Sequence, residues 1–163
     1  MVTVETETVQ QIYNLLKTIS DPEIPTVSIT DLGLIRNVEF INNKVIVTIT
    51  PTYSGCPAMH FIEREIINTL QLNLFENVEV KINLNPAWTT DWISEEGKIK
   101  LKESGIAPPL PIINKVEFKQ NTITCPHCNS NKTLLKSEFG STACKSFYFC
   151  EDCLTPFDYF KAI

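Results

Sequence analysis

Residues 125–153 read CPHCNSNKTLLKSEFGSTACKSFYFCEDC, which places two C-x2-C units, Cys125–Cys128 and Cys150–Cys153, with 21 residues between them. Each unit aims two sulfurs at one point and offers backbone N–H groups to them. Tetrahedral Zn2+ takes four thiolates at about 2.3 Å. The spacing lies just beyond the usual zinc-ribbon range of about 15–20 residues. Structural zinc on Cys125, Cys128, Cys150 and Cys153 is the expectation. A rubredoxin-like iron site and a four-cysteine iron–sulfur cluster are its rivals, since soft thiolates suit them too. The insert supports a ribbon: Thr133–Phe139 and Ser146–Cys150 read as a hairpin, and Phe157–Phe160 as a third strand. A piece of about 45 residues has too little core to fold well alone, so metal should supply much of its stability.

Cys144 is left over. At about 3.3 Å per strand residue it falls on the order of 20 Å from Cys150, too far to share that metal. It reads as a small apolar strand residue, or as a second thiol facing the first domain, with Cys56. His127, inside the first knuckle, reads as solvated. Phe147, Tyr148, Phe149, Phe157, Tyr159 and Phe160 read as core, or as a face against the first domain, rather than as a base-stacking platform.

Upstream, Gly105-Ile106-Ala107-Pro108-Pro109-Leu110-Pro111 cannot be helix interior and favours extended polyproline geometry. It marks a linker over 108–115 between a first domain, 1–107, and the ribbon, 116–163. Charge divides the same way. Residues 1–110 hold 8 Lys+Arg and 14 Asp+Glu, a net of −6, and residues 111–163 hold 6 and 5, a net of +1. In the first domain Val9, Ile12, Leu15, Leu16 and Ile19 recur at helical spacing, predicting a helix over 6–19 that ends at Ser20-Asp21-Pro22. Leu34–Ile41 and Val45–Thr50 read as strands around the hairpin turn Asn42-Asn43-Lys44. Met59, Ile62, Ile66 and Leu70 mark a second helix, and Asn77–Leu84 alternates as a half-buried strand. Thr89 or Thr90 can cap a third helix running to about Ser104, with Gly105 past its end. The order αββαβα makes a small α+β domain, followed by a zinc-ribbon β domain.

Cys56 stands in Ser54-Gly55-Cys56-Pro57, between a strand and the second helix. Pro57 suits a first helical turn, which puts Cys56 at or near the N-cap. There the helix dipole and unpaired N–H groups would lower the thiol pKa and make it a better nucleophile or ligand. The alternative is a buried small hydrophobe. Asp21, Glu23 and Asp31 lie in the loop before the first strand, where carboxylates serve as ligands or proton carriers, and more often as turn formers. His60, four residues after Cys56, either shares a metal with it or is an ordinary surface histidine. Trp88 and Trp92 read as packing residues.

The whole chain has 163 residues, 43% hydrophobic and 20% charged, with a net charge of −5. That composition is globular. An acidic chain with no basic stretch is a poor nucleic-acid binder. No apolar run approaches the roughly 18 residues of a membrane span, and MVTVETETVQ has no secretion-signal pattern. Six cysteines without a signal point to a reducing, cytoplasmic setting, where they are more often ligands or reactive thiols than disulfides.

Three stretches resemble the iron–sulfur assembly accessory family, SufT-type proteins included: Asp21-Pro22-Glu23-Ile24-Pro25, Ser28-Ile29-Thr30-Asp31-Leu32-Gly33-Leu34-Ile35 and Ser54-Gly55-Cys56-Pro57. The likeness continues through Trp88, Ser94-Glu95-Glu96-Gly97 and Gly105-Ile106-Ala107-Pro108-Pro109. With Phe139-Gly140-Ser141-Thr142-Ala143-Cys144-Lys145 and Pro156-Phe157-Asp158-Tyr159-Phe160-Lys161, the whole chain is similar to the PaaD (PaaJ) family of aerobic phenylacetate degradation. The resemblance implies a non-catalytic accessory of the phenylacetyl-CoA epoxidase, a multicomponent di-iron monooxygenase, maturing or inserting its Fe–S or di-iron centre. It implies epoxidase subunits or iron–sulfur assembly machinery as partners, and leaves a homodimer open. It carries over Cys56 as the assembly-domain cysteine, for a transient cluster or iron, and Asp31 as the acidic loop residue. The alternatives are a stoichiometric non-catalytic subunit of that complex and a general iron–sulfur assembly factor. Glu63 and Glu65 are not followed by a histidine three residues on, so the Glu-x-x-His pair of a di-iron site is not in the sequence.

Overall fold

The computed structural model describes residues 2–110 and 122–161. The chain forms two compact units, Met1–Trp88 and Thr89–Ile163. Of the expected linker, residues 111–115 lie outside the described residues, as do 116–121 of the expected ribbon.

In the first unit, α1 spans Val2–Leu16, β1 Ile35–Ile41, β2 Lys44–Ile49, α2 Met59–Leu72 and β3 Val78–Ile82. The expected helix over 6–19 thus begins and ends earlier. Its tail tightens, with Thr18 N–H bonding Leu15 C=O at 3.0 Å and Ile19 N–H bonding Leu16 C=O at 3.1 Å. Such three-residue spacing is how helix ends recover orphan carbonyls. Ile12 and Leu16 are wholly buried and Ile19 nearly so, as the periodicity requires. Asn42 and Asn43 take φ of 50° and 60°, the left-handed pair that a two-residue hairpin turn needs. β1 and β2 pair antiparallel, and α2 carries the chain over to β3, which pairs parallel with β2. The order is β1-β2-β3. The central strand presents Val45, Val47 and Ile49, all essentially inaccessible, and α2 buries Met59, Ile62, Ile66 and Leu70.

In the second unit a 3-10 turn, Thr90–Trp92, precedes α3, Glu95–Glu103. This corrects the single helix expected from Thr89 or Thr90. Thr89 caps only the short turn, and Ile93 returns to extended backbone. The longer helix starts where Ser94 Oγ accepts the Gly97 N–H at 2.9 Å, with Glu95 and Glu96 in its first turn. It stops at Gly105, whose φ of +77° is the usual left-handed helix exit.

The second sheet has the order β4-β7-β6-β5, with β4 at Ile106–Ala107, β5 at Thr133–Ser137, β6 at Lys145–Cys150 and β7 at Pro156–Phe160. β5, β6 and β7 pair antiparallel, as the predicted hairpin and third strand require. β4 was not foreseen. Ile106 and Ala107, expected to end the first domain, pair parallel with Asp158 and Tyr159 of β7. The small core comprises Ala107, Ile123, Cys125, Cys150, Phe157 and Tyr159, with Tyr148 stacked on Phe157 at 5.8 Å between centroids. The chain is thus α+β, with the order αββαβα followed by a ribbon sheet.

Candidate functional site

The two knuckles build themselves from local hydrogen bonds. Asn129 N–H bonds Cys125 C=O at 2.9 Å, Cys125 N–H bonds Ser130 C=O at 2.9 Å, and Cys150 N–H bonds Thr155 C=O at 3.0 Å. The residue after each unit is left-handed, Asn129 with φ 61° and Leu154 with φ 57°. These turns bring Cys125, Cys128, Cys150 and Cys153 together, their sulfurs all within 4.8 Å of one another. Cys125 Sγ lies 3.7 Å from Cys153 Sγ, and Cys128 Sγ lies 3.5 Å from Cys150 Sγ. A tetrahedron with metal–sulfur bonds of about 2.3 Å has edges of about 3.8 Å. A disulfide needs about 2.05 Å. The four thiols therefore fit one tetrahedral metal, and all are free of disulfides.

The thiols are electrostatically unequal. The Thr155 side chain, by hydrogen bonding, draws Cys153 down to about 6. At Cys128 the Ser130 N–H also pulls downward, yet burial and the thiols of Cys150, Cys153 and Cys125 outweigh it and push the thiol up to about 12. Burial raises Cys125. Four thiols at one point resist ionising together, and a dication removes that conflict. His127 is exposed, as expected, and its imidazole packs where a side chain on Gly105 would stand, 2.9 Å from an ideal Cβ. Cys144 is buried, just ahead of β6, whose other end is Cys150. Its sulfur lies 3.0 Å from Thr142 Oγ1, and it is not part of the four-thiol group.

In the first unit three connections leave one end of the sheet: residues 20–34 ahead of β1, 50–58 after β2 and 83–88 after β3. Thr50 N–H bonds Leu34 C=O at 2.9 Å, and Asn83 N–H bonds Ile49 C=O at 2.8 Å, which closes that end. Trp88 Nε1 donates to Leu32 C=O at 2.9 Å, so its role includes fixing the Asp31 loop. Asp31 is buried. Its Oδ2 accepts the Ser28 N–H at 3.2 Å, and its own N–H donates to Ser28 Oγ at 3.1 Å. Asp21 Oδ1 accepts the N–H groups of Glu23 and Ile24 at 2.8 and 2.9 Å. Both carboxylates form turns, the commoner of their two readings. Topology sets the Asp31 and Cys56 loops at the same end of the sheet.

Cys56 is half-buried, but it is not the N-cap. That place belongs to Ala58, itself in helical conformation. Cys56 N–H bonds Tyr53 C=O and its C=O accepts from Met59 N–H, both at 3.3 Å. Pro57 thus sits in a turn before the helix, since its fixed φ suits either place. Gly55 has φ +94° with nothing within 4 Å of an added Cβ, so its need is conformational, not close approach. His60 is exposed on the first turn of α2. The sequence reading missed Asp152, whose carboxylate joins the two knuckles through Ser130 and Lys132. Its only signal was an acid between two ligands.

Comparisons with known proteins follow the same division. The family model described as iron-sulfur cluster assembly protein matches residues 9–83, and that described as PaaD zinc beta ribbon domain matches 112–161. An Escherichia coli (strain K12) protein, named as a subunit of a "Putative 1,2-phenylacetyl-CoA epoxidase", is 44% identical over 163 residues, covering 100% of this chain and 98% of that one. A Porphyromonas gingivalis "Fe-S protein maturation auxiliary factor" is 36% identical over 97 residues, 58% of this chain and 91% of that one. The crystal structure of a domain of unknown function, DUF59, from Bacillus anthracis superposes with a TM-score of 0.58 at 30% identity, covering 62% of this chain and 97% of that one. No helix of the described residues is long and apolar enough to cross a membrane.

Proposed function

We propose, since this chain belongs to the family of the Escherichia coli epoxidase-subunit protein, that it is a non-catalytic accessory of a phenylacetyl-CoA epoxidase that matures or inserts the Fe–S or di-iron centre. The observation that carries this reading is the full-length match, which joins an iron–sulfur assembly domain and a four-thiol ribbon in one chain. In the first unit Cys56 offers a soft, half-exposed thiol on a loop. It serves as a transient ligand for iron or a cluster, passed to the client by thiolate exchange without change of oxidation state. Asp31 shapes the neighbouring loop and adds negative charge at that end of the sheet. In the second unit Cys125, Cys128, Cys150 and Cys153 hold structural zinc, which crosslinks the knuckles and supplies no chemistry of its own. The setting is cytoplasmic, where thiols stay reduced.

A Cys56→Ser variant tests the reading. It is expected to melt within about 0.5 kcal/mol of the parent, as substitutions away from packed sites do. Its zinc content should be unchanged. Epoxidase subunits co-expressed with it should carry far less iron and turn over correspondingly less. Full iron loading of the client with Cys56→Ser, or with no accessory protein at all, refutes the maturation role. A second reading, a stoichiometric non-catalytic subunit, draws on the name of the Escherichia coli relative. It requires this chain to co-purify in fixed ratio with the active complex. A general assembly factor is less favoured, because the maturation factor from Porphyromonas gingivalis matches only 58% of this chain.

A further inference from the structure

We propose that Asp152 is a positioning residue for the four-thiol centre, locking one knuckle to the other so that the sulfurs hold their spacing and the metal is retained; the proposal rests on the reading of that centre as a metal site.

Asp152 lies between Cys150 and Cys153, yet both its oxygens are engaged by the strand entry that follows the other knuckle. Ser130 Oγ donates to Asp152 Oδ2 at 2.6 Å, and Lys132 Nζ donates to Asp152 Oδ1 at 3.1 Å. The two donors are themselves coupled. Lys132 N–H donates to Ser130 Oγ at 3.0 Å, and Lys132 C=O receives the Glu151 N–H at 2.9 Å. Ser130 is tied back to a ligand, because its C=O accepts the Cys125 N–H at 2.9 Å. A closed path therefore runs from Cys125 through Ser130 to Asp152 and on to Cys150 and Cys153, outside the sulfurs.

The ion pair is not the reason for this arrangement. Lys132 and Asp152 side chains are 71% and 45% exposed, and exposed pairs contribute about 0–1 kcal/mol. A bare carboxylate beside four thiolates would also add like charge. Lys132 offsets that charge, and the short Ser130 bond supplies geometry. Outer hydrogen bonds of this kind orient ligands, and losing one typically weakens metal binding about 10–100-fold.

The test uses the full chain loaded with zinc, and in parallel with Co2+, whose visible bands report tetrahedral geometry. Zinc release is followed with a chromophoric chelator. Asp152→Ala should release zinc about 10–100-fold faster and alter the cobalt bands. Ser130→Ala should behave alike, and the double variant should add little to either. Asp152→Asn keeps an acceptor for Ser130 and should recover most of the retention, which a purely electrostatic role would not allow. Wild-type release rates and cobalt bands in Asp152→Ala overturn the proposal while leaving the metal site standing. So does a lowered melting temperature with unchanged bands and release. Failure of the wild-type chain to bind zinc or cobalt overturns both together.

Discussion

The two units solve the same problem with different materials. The first buries Ile12, Leu16, Val27, Ile29, Val47, Ile49, Ile66 and Leu70 completely, hydrocarbon against hydrocarbon, on a sheet with helices packed on it. The second has a core cluster in which Cys125 and Cys150, two prospective ligands, stand beside Ala107, Ile123, Phe157 and Tyr159. Apolar burial contributes wherever the chain is dry. A core built partly of thiols is completed by whatever the thiols hold. The lesson is one of independence: the first unit should be indifferent to metal, and the second should answer to it.

Removing the metal is the strongest way to break that contrast. Chelation of the full chain should unfold the ribbon, since metal-binding energy in such sites is folding energy. The first unit should keep its melting transition. Each unit carries one tryptophan, Trp88 in the first and Trp92 in the second. In a Trp92→Phe variant the remaining fluorescence therefore reports the first unit alone. A large spectral shift of Trp88 on chelation shows that the two units are not independent. The converse perturbation is smaller. Leu70→Ala, at a fully buried site of α2, should cost about 2–5 kcal/mol, with metal content and release unchanged. Metal loss in that variant also defeats the comparison.

The smallest effect sharpens the contrast within the second unit. Asn129 and Leu154 hold the same left-handed place after their knuckles, but only asparagine tolerates it. Leu154 is 69% exposed, so little burial is forfeited by replacing it. Leu154→Asn should stabilise the metal-loaded ribbon by about 1 kcal/mol, by relieving backbone strain. Equal or lower melting of that unit contradicts the strain assigned to it.

Most of this was legible where a short rule governs the structure. The stripe Met59, Ile62, Ile66, Leu70 gives α2 because every member faces the core, and the Asn42-Asn43 turn gives the hairpin because asparagine accepts positive φ. The four thiols were legible because knuckle spacing is itself geometry. The misses were places where two local signals compete or a distant partner decides. Thr89, Thr90 and Ser94 are all good caps, and only Ser94 stands ahead of an uninterrupted helix. Pro57 fits a turn as well as a helix start, so Cys56 lies near the N-cap, two residues ahead of it, rather than at it. Asp152 does not stand out from its own stretch, because the partners that define it, Ser130 and Lys132, lie about twenty residues away.

The two residues of β4 also bear on how the molecule can be divided. The ribbon matched as a family begins at 112, after β4 has ended. A fragment starting there would lack Ile106 and Ala107, the parallel neighbours of Asp158 and Tyr159. It would leave a row of unpaired N–H and C=O groups along β7 and remove Ala107 from the apolar cluster. An open strand edge beside aromatic side chains is a template for self-association. A dissected ribbon would therefore be prone to aggregate even with its metal in place, and the few residues ahead of the prolines act as its edge guard.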